Sequence, residues 1–260
     1  MRIVSPGQVA FALIMIALGI LGLINSNFAA LWQPVSKSLP GREILIYLTA
    51  FISLACGAGL LFRRTAASAA RVMLIFLVFW LLVLRTPGMF SNFTVDVWWA
   101  WCKTAVMAAG AWILYVSLAN EWDKKHLGPV AGDNGVRIAR MLYGVALIPF
   151  GLAHFIYLNA TAPLVPNWLP WHVGWAYFTG GAFIAAGVAI IIGVLARLAA
   201  VLVWLQMGLF ALLVWVPIVI AGANAFQWSE FVVSWALVAG GWVIADSYCG
   251  VPWLPSARVK

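Results

Sequence analysis

The sequence predicts an all-α polytopic membrane protein with eight transmembrane helices, arranged as two tandem four-helix bundles. Of its 260 residues, 65% are hydrophobic and 8% are charged, whereas ordinary globular domains carry roughly 25% charged residues. The apolar residues form runs of about 20, the helix length that crosses a hydrocarbon core of roughly 30 Å. Many residues of the first half recur 130 positions later, which indicates an internal repeat. We therefore expect the lipid bilayer to surround it.

The apolar runs place the eight spans in order along the chain. We expect each to be a helix, because hydrocarbon offers no partner to an unpaired backbone amide. The predicted bounds are 8–30, 44–62, 67–86, 94–118, 137–159, 173–193, 196–221 and 227–247. Pro87 and Pro217 are expected to kink or end the third and seventh helices.

Identical residues 130 positions apart define the internal repeat. They include Pro40 and Pro170, Tyr47 and Tyr177, Thr49 and Thr179, Gly57 and Gly187, Pro87 and Pro217, and Gly110 and Gly240. Because each repeat holds an even number of spans, both insert with the same orientation, about an axis along the membrane normal. The predicted domains are a first repeat (1–119), a polar cytoplasmic loop (120–136) and a second repeat (137–260). Since the first span has a counterpart in the second repeat, we expect it to be retained rather than cleaved as a signal peptide.

The basic residues predict the orientation of the chain. An even number of spans puts both termini on one side, and that side holds eleven Lys and Arg residues against three on the other, which predicts cytoplasmic termini. The eleven are Arg2, Arg63, Arg64, Arg71, Lys124, Lys125, Arg137, Arg140, Arg197, Arg258 and Lys260; the three are Lys37, Arg42 and Arg85. These loop charges explain the net charge of +8 without nucleic acid as a partner.

Tryptophan is concentrated at the predicted outer ends of the spans, where amphipathic rings favour the headgroup layer. This outer tryptophan layer comprises Trp32, Trp98, Trp99, Trp101, Trp168, Trp171, Trp175, Trp215 and Trp228.

Ionisable residues inside the spans are the candidate ligand-binding positions, because each is costly in lipid. Asp96, Trp99 and Lys103 share one face of the fourth helix. Lys103 is predicted either to form a structural ion pair with a carboxylate such as Asp96, Glu43 or Glu230, or to face a substrate as a cation.

Two histidines and their repeat partners are further candidates. His154 is predicted to lie in the outer leaflet, either as a neutral core histidine or with a role in binding or proton handling. His172 precedes the sixth helix, and its repeat partner is Arg42, so both repeats place a basic group at the outer mouth of their second helix. The neighbouring Glu43 also complements the dipole of the second helix.

No catalytic or metal-binding motif is recognised. Cys56, Cys102 and Cys249 lack metal-ligand spacing, and the sequence has no HExxH, phosphate-binding glycine loop or GxSxG pattern. We therefore expect no metal site, and the missing motifs favour a non-catalytic role without assigning catalytic residues.

Motifs of the second repeat resemble the DoxX family of small bacterial membrane proteins. They are Gly151-Leu152-Ala153-His154-Phe155, Val165-Pro166-Asn167-Trp168-Leu169-Pro170 and Tyr177-Phe178-Thr179-Gly180, followed by Gly187. That family is built as a four-helix module, and the resemblance adds Tyr177 to the candidate site residues. The ungapped alignment of the first repeat places Ile24 where the second has His154.

The resemblance implies association with membrane redox complexes in the bacterial inner membrane. The first functional hypothesis is an accessory subunit of a quinone-linked system that holds a quinone or a lipid beneath the outer tryptophan layer. The second is a carrier or binder of a small amphiphile or lipid, with two like-oriented bundles rocking about their interface. A structural assembly protein without a ligand is the third. Other redox subunits, or a second copy of the chain, are the expected partners.

Overall fold

The computed structural model describes residues 5–91 and 94–254, and in these parts eight helices are long and apolar enough to cross a membrane. The predicted all-α class is confirmed, since the described ranges contain no strand. Arg2, Arg258 and Lys260 of the charge comparison lie outside these ranges. The main helices are α1 (Pro6–Ile24), α2 (Arg42–Leu61), α3 (Ala66–Ser91), α4 (Val95–Leu118), the linker helix α5 (Glu121–Ala131), α6 (Asp133–Ile156), α7 (His172–Ile192), α8 (Ala196–Ile220) and α9 (Ala225–Asp246).

The spans alternate in direction, which gives the bundle two faces. The start of α1 and the end of α9 share one face, where a β-carbon at Gly7 would lie 2.6 Å from the carboxylate of Asp246. We call this the terminus face. The opposite face carries the connections of residues 25–41 and 157–171.

Two π-helical turns, at Trp80–Arg85 and Ala211–Trp215, mark the internal repeat in the backbone. Each lies just before a proline, Pro87 or Pro217. A proline lacks the N–H of a regular helix and its ring crowds the preceding turn, and a wider turn relieves both effects. In α3 the Thr86 hydroxyl donates to the carbonyl of Leu81 at 2.9 Å. Helices α3 and α8 therefore continue past the prolines, each with a wider turn in front of the proline, and are not ended by them.

The two repeats meet where α4 crosses α9, at Gly110 and Gly240. A β-carbon on Gly110 would lie 3.2 Å from the α-carbon of Gly240, and one on Gly240 would lie 3.0 Å from the Val106 side chain. Small residues at a crossing allow two backbones to approach closely in lipid. Because these glycines are equivalent in the repeat, the pseudo-twofold axis passes between them.

The repeats are interlocked rather than side by side. Helix α1 packs chiefly on α2 and on α9, while α6 packs chiefly on α7 and on α4. The first span of each repeat therefore lies against the fourth span of the other. One continuous core results, with buried residues from both halves, such as Met107 and Tyr143.

Glycine contacts correct the alignment of the first spans by two residues. A β-carbon at Gly19 would meet the Ala50 carbonyl at 2.7 Å, and one at Gly151 would meet the Gly180 carbonyl at 2.4 Å. Ala50 and Gly180 are 130 positions apart, but Gly19 and Gly151 are 132 apart. The structural counterpart of His154 is thus Gly22, not Ile24.

The first span is shorter than the predicted 8–30, because α1 ends at Ile24. The chain turns at Ser26, which has a positive φ of 45°, and forms a short 3₁₀ turn at Ala30–Trp32. Phe28 and Trp32 are 2% and 0% exposed, so the apolar residues after Ile24 fill the core instead of continuing the helix. Trp32 is therefore not part of an interfacial tryptophan layer.

The linker, expected as a loop, folds as helix α5. Asn120 and Asp123 form a capping box, in which each side chain accepts from the other residue's backbone N–H. The buried Asp123 also forms an ion pair with Arg71 of α3 at 2.8 Å and accepts from the Tyr115 hydroxyl at 3.1 Å. Burial alone would raise the pKa of Asp123, but the bonds from Arg71, the Asn120 backbone and Tyr115 hold it below its usual value.

Candidate functional site

Lys103 of α4 forms an ion pair with Glu230 of α9 near the opposite face. The Lys103 Nζ lies 2.9 Å from a Glu230 carboxylate oxygen, and the two side chains are 15% and 17% exposed. Nζ also lies 5.0 Å from the centre of the Trp99 ring, within the range of a cation–π contact. The predicted pairing of Lys103 with a carboxylate is confirmed, and the partner is Glu230 rather than Asp96 or Glu43.

Asp96 contacts Tyr157, the residue that follows α6, instead. Its carboxylate accepts a hydrogen bond from the Tyr157 hydroxyl at 3.1 Å, and the Tyr157 ring stacks on Trp99 at 6.4 Å. Partial desolvation and the neighbouring Asp96 carboxylate raise the pKa of Tyr157 above its usual value. We refer to Asp96, Trp99, Lys103, Tyr157 and Glu230 as the junction cluster.

The junction cluster joins both repeats at one place, because three of its members lie on α4, Tyr157 directly follows α6 and Glu230 lies on α9. Lys103 and Glu230 compensate each other, as charges inside a span require, while the exposed Asp96 carboxylate has the Tyr157 hydroxyl as its partner. This arrangement suits a structural joint better than a substrate-facing cation. Tyr157 was not among the sequence candidates, since it lies just after the end of α6 and belongs to no motif.

His154 lies apart from the junction cluster, on the side of α6 that faces α7 and α8. Its ring centre is 5.5 Å from that of Phe183 and 6.0 Å from that of Phe210, with the Phe210 ring nearly parallel. A β-carbon at Gly180 would lie 2.8 Å from the β-carbon of His154, so a larger residue there would push α7 away. The imidazole is therefore held between phenylalanine rings in the interior of the second repeat.

One hydrogen bond sets the proton position on His154. Nδ1 lies 2.8 Å from the Phe150 carbonyl oxygen, which can only accept, so Nδ1 carries the proton. In the neutral ring Nε2 is then an acceptor. Within the described ranges, Nε2 has no hydrogen-bond partner, and it is not among the fully buried unpaired atoms. An accessible acceptor thus remains among apolar rings.

The equivalent place in the first repeat is filled by aromatic rings. Trp80, the counterpart of Phe210, packs against Phe28, Phe76 and Trp32, with ring centres 5.2 to 5.8 Å apart. Trp80 and Trp32 are 1% and 0% exposed. We call these four residues the aromatic plug.

Arg85 fixes residues 28–34, the plug segment, which supplies Phe28 and Trp32 to the aromatic plug. Its guanidinium donates to the carbonyls of Pro34 at 2.6 Å and Gln33 at 2.7 Å, and the residue is 5% exposed. The repeat counterpart of Arg85 is Trp215, whose single N–H donor cannot bind two carbonyls. The second repeat therefore lacks the residue that fastens the plug.

The remaining candidates lie elsewhere on the opposite face. Arg42 donates to Asn27 at 3.0 Å and covers the Phe28 ring, so it supports the plug segment. Tyr177 is 47% exposed and stacks on Phe155, His172 is the first residue of α7, and Glu43 is exposed. In the part of the chain that the structure describes, no hydrogen bond or ion pair connects these residues to the junction cluster.

Fold and site together define a polytopic all-α membrane protein with two interlocked parallel repeats, of which the second holds His154 between phenylalanine rings where the first is filled by the aromatic plug. The chain matches no family model, and no curated protein or solved structure is significantly similar to it. The resemblance to the DoxX family accordingly rests on the sequence motifs of the second repeat.

Proposed function

We propose that the protein is a DoxX-like accessory subunit of a quinone-linked redox system in the bacterial inner membrane, and that its second repeat binds the quinol. The observation that supports this is the difference between the repeats. The aromatic plug fills the first, whereas the second presents the unbonded Nε2 of His154 between Phe183 and Phe210.

The chemistry of His154 suits a ligand with a hydroxyl group on a flat ring. A neutral imidazole whose Nδ1 donates to a carbonyl accepts at Nε2, and a quinol hydroxyl is a donor. The flanking phenylalanines favour stacked or edge-on aromatic contacts. Ligand sites of this kind are mostly apolar with a few placed polar groups.

An accessory role fits the charges inside the spans better than proton transfer does. Lys103 and Glu230 neutralise each other, and Arg85 is fixed by loop carbonyls. None of the three is left poised to exchange a proton. In this proposal the catalytic centre belongs to a partner subunit.

The terminus face is cytoplasmic in this proposal. Among the described residues it holds eight Lys and Arg side chains against three at the opposite face, and cytoplasmic loops carry the excess of such residues. The exposed Trp168 and Trp171 then lie at the outer headgroup layer, 70% and 85% exposed.

The test is the quinone content of the protein purified in native-lipid nanodiscs, measured by mass spectrometry. We compare wild type with His154→Phe, which keeps an aromatic ring but removes the acceptor, and use His172→Gln as the matched control. One hydrogen bond is worth about 1 kcal/mol, so quinol affinity should fall roughly fivefold in His154→Phe and stay unchanged in His172→Gln.

Two results would overturn the proposal: quinone no more abundant than in nanodiscs without the protein, or equal retention by wild type and His154→Phe. A third result would point to a carrier instead of an accessory subunit. In that case quinol would enter proteoliposomes faster than empty vesicles, and the difference would disappear in His154→Phe.

A further inference from the structure

A cavity of about 520 Å³ opens at the terminus face of the second repeat. It lies between the start of α6, the end of α7, the start of α8 and the segment that follows α9. Three arginines line it, Arg137, Arg140 and Arg197, beside an apolar wall that includes Ile192 and Leu195.

Among the described residues, none of the three arginines has an acidic partner. Arg140 donates to the hydroxyl and carbonyl of Ser247 and lies over the Tyr248 ring at 3.7 Å. Arg197 donates to the Val251 carbonyl at 2.6 Å. These partners are neutral, and no ion pair involving Arg137, Arg140 or Arg197 occurs in residues 5–91 and 94–254, although Asp133 begins α6 one turn before Arg137. The cavity therefore holds uncompensated positive charge.

The three arginines belong to the second repeat alone. With the two-residue correction for the first spans, Arg137 and Arg140 correspond to Ser5 and Gln8, and Arg197 corresponds to Ala67. The first repeat also carries basic residues at this face, Arg63, Arg64 and Arg71, but none of them lines this cavity. The convergence of three arginines on one cavity favours a site for an anion.

We infer that this cavity binds the phosphate group of an anionic phospholipid, with its acyl chains along the apolar wall of α7. Guanidinium groups bind phosphate oxygens with two parallel hydrogen bonds, and basic pockets between spans accept anionic headgroups. An arginine has five N–H donors, so Arg197 keeps several of them free after it donates to the Val251 carbonyl. Ile192, 62% exposed, offers lipid-accessible surface beside the charges. The inference does not depend on quinol binding.

The experiment uses the full chain, stripped of lipid in detergent and titrated with phosphatidylglycerol or phosphatidylcholine under native mass spectrometry. The variant is Arg137→Gln/Arg197→Gln, which leaves Arg140 and its bonds to Ser247 in place. The control is Arg63→Gln/Arg64→Gln, two exposed arginines of the same face that line no part of the cavity. Circular dichroism melting checks that each variant folds.

Wild type should retain one phosphatidylglycerol in preference to phosphatidylcholine. Each arginine near an anionic lipid surface contributes roughly a fivefold gain, so the cavity variant should bind phosphatidylglycerol about 25-fold more weakly and the control less than about threefold. Equal losses in the two variants, or equal binding of phosphatidylcholine by wild type, would overturn the inference. Displacement of the lipid by millimolar inorganic phosphate would show that the site serves a water-soluble anion, and the assignment of a phospholipid to the cavity would be wrong.

Discussion

Gly110 and Gly240 face each other across the pseudo-twofold axis, where α4 and α9 approach most closely. A β-carbon on Gly110 would lie 3.2 to 3.3 Å from the Gly240 backbone and 3.0 Å from the Phe11 side chain of α1, and one on Gly240 would lie 3.0 to 3.3 Å from Val106 and Met107 of α4. This contact holds the two repeats together at the level of the backbone.

We expect Gly240→Leu to destabilise the protein by about 1 to 3 kcal/mol, because a side chain there overpacks a filled crossing. The control is Gly208→Leu, since a β-carbon on Gly208 meets no atom within 4 Å. Thermal unfolding in detergent measures both. If Gly208→Leu lowers the unfolding temperature as much as Gly240→Leu does, the crossing does not have this role.

The ion pair of Lys103 and Glu230 predicts strong coupling between two substitutions. Lys103→Met should cost about 3 kcal/mol, because it leaves an uncompensated carboxylate in a largely buried place. Adding Glu230→Gln should recover most of the lost free energy of unfolding. A double-mutant cycle by chemical unfolding checks this, and purely additive losses would mean that the pair contributes little.

Arg85 fastens the plug segment through backbone carbonyls, so Arg85→Met should destabilise the first repeat. We expect a loss of about 3 kcal/mol, because hydrogen bonds from a charged donor are removed and buried carbonyls are left unpaired. Arg42→Gln, at the edge of the same segment, should cost under about 1 kcal/mol. Maleimide labelling of a cysteine introduced at Trp32 provides a second readout: the Trp32→Cys thiol should react faster once Arg85 is replaced, and an unchanged rate would contradict the account.

Asp123 predicts a pH dependence of the contact between α5 and α3. Its pKa is lower in the folded protein than in the unfolded chain, so its stabilising effect is present above the unfolded value of about 4 and is lost as the pH falls through the folded value. The melting temperature of wild type should therefore fall more steeply below about pH 4 than that of Asp123→Asn. The exposed Glu121 offers the control, since Glu121→Gln should keep the wild-type slope. Parallel curves for wild type and Asp123→Asn would exclude this contribution.

The sequence predicts the spans, and the need of Lys103 for a carboxylate partner, for a physical reason. Apolar length follows from bilayer thickness, and a charge inside a span demands a partner, so both the helices and the acidic partner of Lys103 could be expected from composition alone. The repeat was visible because identical residues recur at one spacing, and the matching π-helical turns appear at that same spacing.

What the sequence could not supply depends on contacts between distant segments. Phe28 looks like the continuation of α1 and Trp32 like an interfacial residue, since a protein core and a lipid bilayer favour the same apolar and aromatic residues. The two-residue shift of α6 was hidden because the connection after α1 has 17 residues (25–41) and the one after α6 has 15 (157–171). Tyr157 joins the junction cluster only through the packing of α6 on α4.

The exchange of partners between the repeats has a consequence for biogenesis. Helix α1, the first of the eight described spans, completes its packing only against α9, the eighth. The earlier spans must therefore wait in the membrane with one flank uncovered until α9 has been made. Truncation before α9 exposes that flank to lipid or to quality-control proteases, even though the first four spans are all present.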